Sequence, residues 1–362
     1  MRVVLDEQIF AIQPYGGISR MFAELASQFI DGEVDDVELV PFNAPVVNRY
    51  VLDSSRIRRG LGASEAKNQW TALAGYFARR PRFEEVDVVH STFYLPHGLA
   101  SPKSVKRVVT IHDMIPELMP QTRRRLDFLT LKSHYVRSAD HIVCVSESTK
   151  QDLLKVYGLT GVPISVVHHG VDSRFKPDGP KLDYLPDRYL IYVGNRNQYK
   201  DAEVLFRAFE MVVKSDQDIH LVCVGGSGLS DREVQRLKEM GIRDRVSQRL
   251  LPDHDMISAY AHAAAFVFPS HFEGFGLPAL EAMACGAPTI LARATSLPEV
   301  GGDAALYFEP GDARDLARSI SEVLRDPATA RDLRGRGLTR AADFTWQRAA
   351  RETAEVYRSV LE

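Results

Sequence analysis

A turn with two glycines lies at the centre of Ser270-His-Phe-Glu-Gly-Phe-Gly-Leu-Pro-Ala-Leu-Glu-Ala-Met-Ala-Cys-Gly-Ala-Pro288. The apolar run Ala265–Phe268 before it predicts a buried strand, and Glu281 is expected to open a helix of small residues. Glycines accept positive φ and let the backbone approach a ligand, while a helix start after Pro278 offers N–H groups that suit phosphate. With Glu273 before the two glycines and Glu281 after them, the segment predicts contacts to a polyol, a phosphate and a ribose. Together these groups describe a nucleotide sugar.

The length and composition indicate a globular protein of two domains. A chain of 362 residues exceeds one ordinary core and fits two domains of about 150–200 residues each. The net charge of -3 gives no reason to expect a nucleic-acid partner. An apolar run of about 18 residues does not occur, so no membrane-spanning helix is predicted, and Met1–Asp6 predicts a strand rather than a secretory signal. These features predict a cytoplasmic protein, with peripheral contact to the inner face of the cell membrane left open.

The cysteines Cys144, Cys223 and Cys285 lie far apart, in apolar or small-residue surroundings. Such an odd, scattered set argues against a disulfide framework and against a zinc site. We interpret them as buried small apolar residues, with a reactive thiol as the alternative.

Short apolar runs alternate with amphipathic stretches along the whole chain. The predicted strands are Arg2–Leu5, Val37–Pro41, Val86–His90, Arg107–Ile111, His141–Val145 and Ile164–His168 in the first half, and Tyr189–Val193, His220–Val224, Val246–Leu250, Ala265–Phe268, Thr289–Ala292 and Ala305–Phe308 in the second. The helices predicted between them include Ile18–Ile30, Ala202–Lys214, Asp231–Met240 and Ala313–Arg325. Because most runs are apolar throughout, the strands are expected to be covered on both faces, as in parallel sheets. The βαβα rhythm predicts an α/β fold with two doubly wound, Rossmann-like sheets.

The segment Gly170–Pro180 breaks this rhythm and is rich in Gly, Pro and Asp, which predicts the interdomain linker there. The expected domains are residues 1–172 and 173–345, followed by a helix at 346–362 that could cross back to the first domain. Two sheets joined by one linker would face each other across a deep cleft, with ligands at the carboxyl ends of the strands. Helices and loops are predicted for Asn43–Arg82.

Two strand-to-helix turns have the composition of phosphate sites. Pro14-Tyr-Gly-Gly-Ile-Ser-Arg20 places two glycines before a helix whose N-terminus could meet a phosphate, with a plain tight turn as the alternative. Val193-Gly-Asn-Arg-Asn-Gln-Tyr-Lys200 places Arg196 and Lys200 at a strand end. Arg can grip two phosphate oxygens and Lys adds a mobile point charge. The alternative is two solvated charges at a helix start, where cations oppose the helix dipole.

Three further side chains are candidates for ligand contacts. Glu281 would be favoured at a helix start by the helix dipole alone. Glu273 has no helix to cap in its predicted position, so a hydroxyl or a cation is expected beside it. His112 ends an apolar strand of the first domain, where it could touch a ligand or be a satisfied structural histidine.

Other patterns suggest sites that we interpret as structural. Asp253-His-Asp255 resembles a metal-binding DxD pair but lies where Asp commonly caps a helix. Leu251, just before it, is a candidate to flank a nucleobase. The pair His168-His169 has no Cys or carboxylate at ligand spacing, so no zinc site is proposed.

Basic clusters occur in the first domain at Arg56–Arg59, Arg79–Arg82 and Arg123–Arg125. We interpret them as solvated helix faces. The alternative is contact with an anionic membrane or with a lipid-phosphate acceptor.

Taken together, these motifs resemble those of the retaining GT-B glycosyltransferases of family GT4. The strongest match is Glu273-Gly-Phe-Gly-Leu-Pro-Ala-Leu-Glu281, which resembles the E-x7-E signature of the family. The supporting matches, in the order of the family, are Gly16-Gly17, His168-His-Gly-Val-Asp172, Arg196 with Lys200, Pro298-Glu299 with Gly302-Asp-Ala-Ala305, and Phe344-Thr-Trp346. Ile111-His-Asp-Met-Ile-Pro-Glu117 and the short spacing from Arg196 to Lys200 resemble the bacterial mannosyltransferase branch. One motif would be weak evidence, whereas this set in register over nearly the full length is specific.

The resemblance implies roles by position. The implied donor-binding residues are Gly16, Gly17, Arg196, Lys200, Glu273, Phe275, Gly276, Leu277 and Glu281. The implied catalytic residues are His112, Arg196, Lys200 and Glu273. Among them, Glu281 would bind the ribose and Glu273 the transferred sugar, the two cations would neutralise the diphosphate, and the histidine would face the donor sugar.

The resemblance also implies an activity: retaining transfer of a hexose, mannose from GDP-mannose, to a saccharide or lipid-linked acceptor in bacterial glycan or glycolipid synthesis. Other branches of the family use UDP- or ADP-sugars. Cations and helix N-terminal amides would stabilise the leaving diphosphate, so neither a metal nor another cofactor is expected, and no carboxylate is assigned as a covalent nucleophile. Acceptor contacts are expected from Asn43–Arg82 and Tyr94–Gly98.

Two other functions are left open: a nucleotide-sugar epimerase on the same two-domain frame, and an inactive homologue that binds a nucleotide sugar. An epimerase would release a changed sugar without an acceptor. A nicotinamide dehydrogenase is disfavoured because no G-x-G-x-x-G follows the first strand.

Overall fold

The computed structural model describes residues 1–79, 83–119, 129–158, 161–196 and 198–362. Their contacts divide the chain into two compact units. The first unit comprises Met1–Gly170 and Thr345–Glu362, and the second comprises Val171–Phe344. The sequence-based boundaries, after residues 172 and 345, lie within two residues of these changes of unit.

The first unit is built on a parallel sheet. Its strands are β1 (Arg2–Leu5), β2 (Glu38–Leu39), β3 (Pro45–Val46), β4 (Ser64–Glu65), β5 (Val88–Ser91), β6 (Lys106–Ile111), β7 (His141–Cys144) and β8 (Ile164–Val166). Six of them form one sheet in the order β2-β1-β5-β6-β7-β8, and β3 pairs separately with β4. The strands β5, β6 and β7 are buried along almost their whole length, as expected for parallel strands between two helical layers.

The helices of the first unit follow the strands in alternation. They are α1 (Gln8–Ile12), α2 (Gly17–Ile30), α3 (Arg49–Leu52), α4 (Ser55–Gly60), α5 (Gln69–Ala78), α6 (Ile115–Leu118), α7 (Leu129–Ser138) and α8 (Glu147–Tyr157). A 3-10 turn lies at Pro96–Leu99.

The second unit has the strand order of a Rossmann fold. Its strands are β9 (Tyr189–Val193), β10 (His220–Val224), β11 (Val246–Arg249), β12 (Ala265–Phe268), β13 (Thr289–Ala292) and β14 (Ala305–Phe308). They form one parallel sheet in the order β11-β10-β9-β12-β13-β14, which is the doubly wound order 3-2-1-4-5-6. The helices are α9 (Ala202–Val213), α10 (Asp231–Glu239), α11 (Asp253–Ala261), α12 (Leu277–Ala284), α13 (Leu297–Gly301), α14 (Ala313–Arg325) and α15 (Pro327–Ala342), with 3-10 turns at Gln198–Lys200 and Arg243–Arg245.

Polar side chains mark the starts of helices in this unit. Ser230 and Glu233 form a capping box at α10, and Asp312 accepts the N–H groups of Arg314 and Asp315 at α14. Each cap satisfies N–H groups that the first turn of a helix leaves without a partner.

The last helix, α16 (Trp346–Ser359), belongs to the first unit. The hydroxyl of Tyr357 lies 2.7 Å from Nδ1 of His90, whose Nε2 lies 2.7 Å from Oγ1 of Thr110. A Cβ at Gly170 would lie 2.2 Å from the backbone nitrogen of Trp346. Only glycine therefore fits at position 170. The chain leaves the first unit after this residue and returns to it at Thr345, directly before Trp346.

The predicted fold class is confirmed, and all twelve predicted strands are present. Some ends differ, since Val37–Pro41 pairs only over β2 and Ile164–His168 ends at Val166. The prediction of helices and loops for Asn43–Arg82 missed β3 and β4, because two-residue strands carry no periodicity. Among the described residues, no helix combines the length and the apolar character that crossing a bilayer requires.

Candidate active site

The strand order of the second unit reverses between β9 and β12. Open α/β sheets bind ligands at such a switch point, outside the carboxyl ends of the strands. The loop after β9 carries Arg196 and Lys200, and the loop after β12 carries Glu273. Leu251 follows the edge strand β11, which β10 and β9 separate from β12. The switch point therefore brings the loop with Arg196 and Lys200 next to the loop with Glu273, the first glutamate of the E-x7-E motif. Leu251 lies farther along the sheet.

Lys200 and Glu273 form an ion pair at the switch point, with Nζ 2.5 Å from Oε1. Their side chains are only 14% and 11% exposed. The ammonium of Lys200 also lies 5.0 Å from the ring centroid of Phe268, the last residue of β12. A cation and an acid thus stand side by side in a largely dehydrated place. Such a pair suits a phosphate oxygen beside a sugar hydroxyl.

Two hydroxyl side chains from the loop after β13 hold the main chain of Glu273. Its N–H donates to Oγ1 of Thr295 at 2.9 Å, and Oγ of Ser296 donates to the carbonyl oxygens of Glu273 and Phe275 at 3.0 and 2.9 Å. Thr295 has a φ of 45°, a strained conformation for a β-branched residue. Neither hydroxyl was predicted as a site residue from the sequence. Their place directly after an apolar strand was the signal that could have found them.

A second set of contacts joins the loops after β9 and β12. Asp201, at a φ of 45°, accepts the N–H of Val204 at 3.1 Å and lies 2.7 Å from Nε2 of His271. The N–H of His271 donates to the carbonyl oxygen of Tyr199 at 2.8 Å. These contacts flank the ion pair in both loops, so the two charges are held opposite each other by the surrounding structure.

Arg196 contacts the loop after β10 and the helix α10 that follows it. Its Nε lies 2.6 Å from Oε1 of Glu233, and its Nη2 donates to the carbonyl oxygens of Ser227 and Gly228 at 2.7 and 3.0 Å. Burial raises the pKa of Glu233, but hydrogen bonds from Arg196 and Ser230 outweigh it and hold that pKa below its ordinary value. The side chain of Arg196 is 5% exposed, so the alternative of a solvated charge is wrong for it.

One nitrogen of the Arg196 guanidinium is left over. Within the part of the chain that the structure describes, the buried Nη1 has no hydrogen-bond partner. A buried donor without a partner is costly. An anionic oxygen of a ligand would satisfy it while Glu233 keeps the rest of the side chain in place.

The helix after the two glycines, α12, begins at Leu277 with Gly276 as its N-cap. Gly276 has a φ of 108°, and a Cβ there would lie 2.9 Å from a leucine side chain, so glycine is required. The expectation that Glu281 opens this helix is wrong. Glu281 lies a full turn inside it, and its Oε2 accepts the hydroxyl of Tyr260 at 3.3 Å. Pro278 stands inside the first turn, where proline is tolerated, and the helix dipole does not account for Glu281.

The acid pair before α11 is engaged by other side chains. The hydroxyl of Tyr184 donates to Asp255 at 2.5 Å, and Nη2 of Arg174 lies 3.9 Å from Asp253. The prediction that these residues cap the helix is wrong, because Pro252 occupies the N-cap and both acids lie in the first turn. Across the described ranges, no group of three or more His, Cys, Asp or Glu side chains has a metal-binding arrangement.

His112 follows β6 in the first unit and lies between two aromatic rings. The ring centroids of Phe22 on α2 and of Tyr94 lie 5.8 and 6.4 Å away. The residue is 7% exposed, and neither ring nitrogen has a hydrogen-bond partner in good geometry among the described residues. Burial above all, then His169 and Lys132, lowers the pKa of His112 well below its ordinary value. Hydrogen bonding to the backbone of Thr92 opposes this shift, and the neutral ring can donate one hydrogen bond and accept another.

The glycine pair of the first unit stands at the start of α2. Gly16 is the N-cap and Gly17 the first helical residue, and the N–H of Ser19 in the first turn donates to Oε1 of Gln13 at 3.4 Å. The φ of Gly16 is 166°, which any residue adopts, so the constraint there is space. A Cβ would lie 2.4 Å from Oε1 of Gln13. The same helix carries Phe22, so the helix that begins at the glycine pair also supports His112.

All three cysteines are buried and free of disulfides. Burial raises the pKa of Cys144, Cys223 and Cys285 to about 12 in each case, which makes them poor nucleophiles. Their interpretation as buried small residues is confirmed.

Two of the basic clusters fall wholly or partly outside the described residues: Arg123–Arg125, and Arg79–Arg82 beyond its first member. In the cluster on α4, the arginines are exposed. Arg56 pairs with Asp31, and Nε of Arg59 donates to the carbonyl oxygen of Ser55 at 3.2 Å. A solvated helix face describes this cluster.

Comparison with known proteins matches each of the two units to a glycosyltransferase family. Residues 15–175 match the family described as Glycosyltransferase Family 4, and residues 179–340 match glycosyl transferases group 1. The chain is 31% identical over 281 residues to the O-antigen chain mannosyltransferase B of Escherichia coli, a match that covers 74% of the chain and 72% of that protein. It is 28% identical over 298 residues to the serotype-specific mannosyltransferase WbdA of Escherichia coli, covering 75% of the chain but only 36% of WbdA. The solved structure of HepE from Anabaena with UDP-glucose has the same fold, with a TM-score of 0.76, 17% identity and 99% coverage of both chains.

Proposed function

The chain belongs to glycosyltransferase family 4, and we propose that it transfers a mannosyl group from GDP-mannose to a saccharide or lipid-linked saccharide acceptor. The observation that carries the proposal is the buried Lys200–Glu273 pair at the switch point of the second unit. Sequence identity of 31% and 28% to two Escherichia coli mannosyltransferases supports a mannosyl group as the sugar that is transferred. The choice of guanine as the donor base rests on the resemblance of the Ile111–Glu117 motif to the bacterial mannosyltransferase branch. Uracil is the competing base, since HepE binds UDP-glucose.

The proposed roles follow from where charge develops. As the bond between the anomeric carbon and the diphosphate oxygen breaks, negative charge grows on the diphosphate. Lys200, the free Nη1 of Arg196 and the N-terminal amides of α12 would stabilise it. Glu273 would accept a hydrogen bond from a hydroxyl of the sugar, and Glu281 would accept one from the ribose. These preorganised groups need no metal ion in the proposed scheme.

The proposed transfer retains the configuration of the donor. The acceptor hydroxyl oxygen forms its bond to the anomeric carbon on the face from which the diphosphate departs, and the hydroxyl proton passes to the departing oxygen. No enzyme side chain bonds to the sugar. The neutral imidazole of His112 would hydrogen-bond the transferred sugar.

Product analysis with the purified protein tests the reaction class. With GDP-mannose and a mannose-terminated oligosaccharide, we expect GDP and a glycoside that keeps the anomeric configuration of the donor, as read by proton NMR. UDP-glucose and ADP-glucose run in parallel decide the base. A changed sugar released without an acceptor would identify an epimerase, and nucleotide-sugar binding without any product would identify an inactive homologue.

Chelation tests the metal-free scheme. Transfer in EDTA is expected to stay within about twofold of the untreated rate, because fixed cations and amides supply the electrostatic stabilisation. Loss of activity that magnesium restores would contradict the scheme and direct attention to Asp253 and Asp255.

The acceptor class is tested by comparing a free oligosaccharide with the same oligosaccharide linked to a lipid in vesicles. A relative named for the O-antigen chain supports a saccharide acceptor. Faster transfer to the lipid-linked form, with co-sedimentation of the protein, supports peripheral membrane contact. Equal rates without co-sedimentation argue for a free saccharide.

A further inference from the structure

The first unit buries a lysine and a glutamate close to the main chain of His112, and neither takes part in the proposed transfer. Lys132 on α7 and Glu117 on α6 are 6% and 5% exposed, with Nζ 3.0 Å from Oε1. Two buried charges lose more hydration than apolar side chains of the same size, and replacing such a pair by apolar residues is often neutral or stabilising. Stability alone therefore does not explain the pair.

Lys132 and Tyr94 hold the main chain on both sides of His112. Nζ of Lys132 donates to the carbonyl oxygen of Asp113 at 2.9 Å, and it lies 5.4 Å from the ring centroid of Tyr94. The hydroxyl of Tyr94 donates to the carbonyl oxygen of Thr110 at 2.9 Å and accepts the N–H of His112 at 3.4 Å. The backbone before, at and after the histidine is thus held by two side chains that touch each other.

The ammonium of Lys132 also acts on the charge of the imidazole. After burial, the groups that lower the pKa of His112 are His169, Lys132 and His90, and the backbone of Thr92 opposes them. The carboxylates next to the histidine are engaged. Asp113 accepts the N–H of Ile115 at 3.0 Å, and Glu117 is held by Lys132. The net effect of these neighbours is to keep the ring neutral.

We propose that Lys132, held in place by Glu117, is a positioning residue for His112, because it fixes the carbonyl oxygen of Asp113 and so the place of the imidazole at the end of β6. This inference rests on the proposed function in one respect, that His112 contacts the donor sugar. The charge of Lys132 adds a second effect, since it disfavours protonation of the ring as the pH falls.

The double variant Lys132→Met/Glu117→Leu separates position from stability. Apolar side chains of similar size replace the ion pair, which is often neutral or stabilising, but the carbonyl oxygen of Asp113 and the hydroxyl of Tyr157 lose a partner, so the melting temperature is expected to fall by only a few degrees. The kcat is expected to fall about 10-fold, because a small misplacement of a reacting group is expensive, with little change in the KM for the donor. The acid limb of the pH profile is expected to move to higher pH, because Lys132 and not Glu117 is among the groups that act on the pKa of His112, so loss of its cation raises that pKa.

Lys106→Met is the matched control. Lys106 forms an ion pair with Asp140 in the same unit, but at the surface, with side chains 42% and 38% exposed. We expect parental kcat, pH profile and melting temperature for this variant, since exposed pairs contribute little. Parental kcat and an unmoved acid limb in the double variant would overturn the proposal.

A titration of 13Cε1-labelled histidine by NMR, assigned with His112→Gln, gives a readout that needs no turnover. An upward shift of the His112 pKa in the double variant supports the role of Lys132, and an unchanged pKa overturns it. A parent protein that transfers no sugar would defeat the proposed function, while the NMR result would still decide the role of Lys132.

Discussion

At the scale of single residues, the site depends on charges that are paired with protein groups in the structure and that would gain ligand groups on binding. Lys200 is paired with Glu273, and Arg196 with Glu233. A diphosphate brings negative charge to both cations, while sugar hydroxyls offer donors to Glu273. Because these side chains are largely buried, salt screens them less than it screens surface pairs. Each cation should therefore contribute strongly to transition-state stabilisation.

Replacing Lys200 or Arg196 by Ala is expected to lower kcat/KM by about 10²-fold or more, since one oriented contact in a site contributes about 2.7–4 kcal/mol. Lys214→Ala is the matched control, because Lys214 pairs with Glu210 on α9 and its side chain is 71% exposed. Steady-state kinetics with saturating acceptor give the comparison. A value for Lys200→Ala within about twofold of the parent would remove its role at the diphosphate.

At the scale of elements, the strands were predictable from the sequence and the starts of some helices were not. The run Ala265–Phe268 has the same bounds in prediction and structure, because a continuous apolar stretch between polar turns is a strong local signal. The start of α12 depends instead on the left-handed backbone of Gly276, and the nearby proline suggested a later residue. The pair Asp201–His271 joins residues 70 positions apart, and no periodicity indicates such a contact.

Gly276→Ala is expected to destabilise the second unit by about 1–3 kcal/mol, because it forces a Cβ into a left-handed backbone and against a leucine. Gly335→Ala is the control within the same unit. Its site on α15 has open space around the added Cβ, so a gain of about 0.5–1 kcal/mol is expected. Both values come from the urea midpoint of unfolding, which is monitored by hydrogen exchange in peptides of the second unit. Equal midpoints for Gly276→Ala and the parent would show that the backbone at this turn is not constrained.

At the scale of the whole molecule, three strongly shifted histidines lie in one unit. Burial lowers the pKa values of His90 and His169 to about 3 and that of His112 well below its ordinary value, and all three lie in the first unit. At pH values below the ordinary histidine pKa, the unfolded chain binds protons at these histidines and the folded unit does not. Their contribution therefore lowers the stability of the first unit as the pH falls. Burial raises the pKa of Asp6, and that of Glu7 to about 7. These two acids bind protons in the folded state before they do in the unfolded chain, so their protonation stabilises the folded unit and partly offsets the effect of the histidines.

The first unit should therefore lose stability as the pH falls below the ordinary histidine pKa of about 6.5, less steeply while Glu7 and Asp6 take up protons in the folded state and more steeply once both acids are protonated. Tryptophan fluorescence reports this unit, because Trp70 and Trp346 both belong to it and Trp346 is buried. Hydrogen exchange in peptides of β9 to β14 reports the second unit in the same samples. Loss of protection in the second unit at a higher pH than in the first would contradict this assignment of acid sensitivity.

The central claim is that the second unit binds the diphosphate of a nucleotide sugar through Lys200. Isothermal titration calorimetry with GDP, UDP and ADP tests it most directly, on the parent, on Lys200→Met and on Lys214→Met. We predict one binding site, tightest for GDP, with affinity at least about 10-fold weaker in Lys200→Met and unchanged in Lys214→Met. Equal affinity of the parent and Lys200→Met, or no binding of any of the three nucleotides to the parent, would contradict the claim.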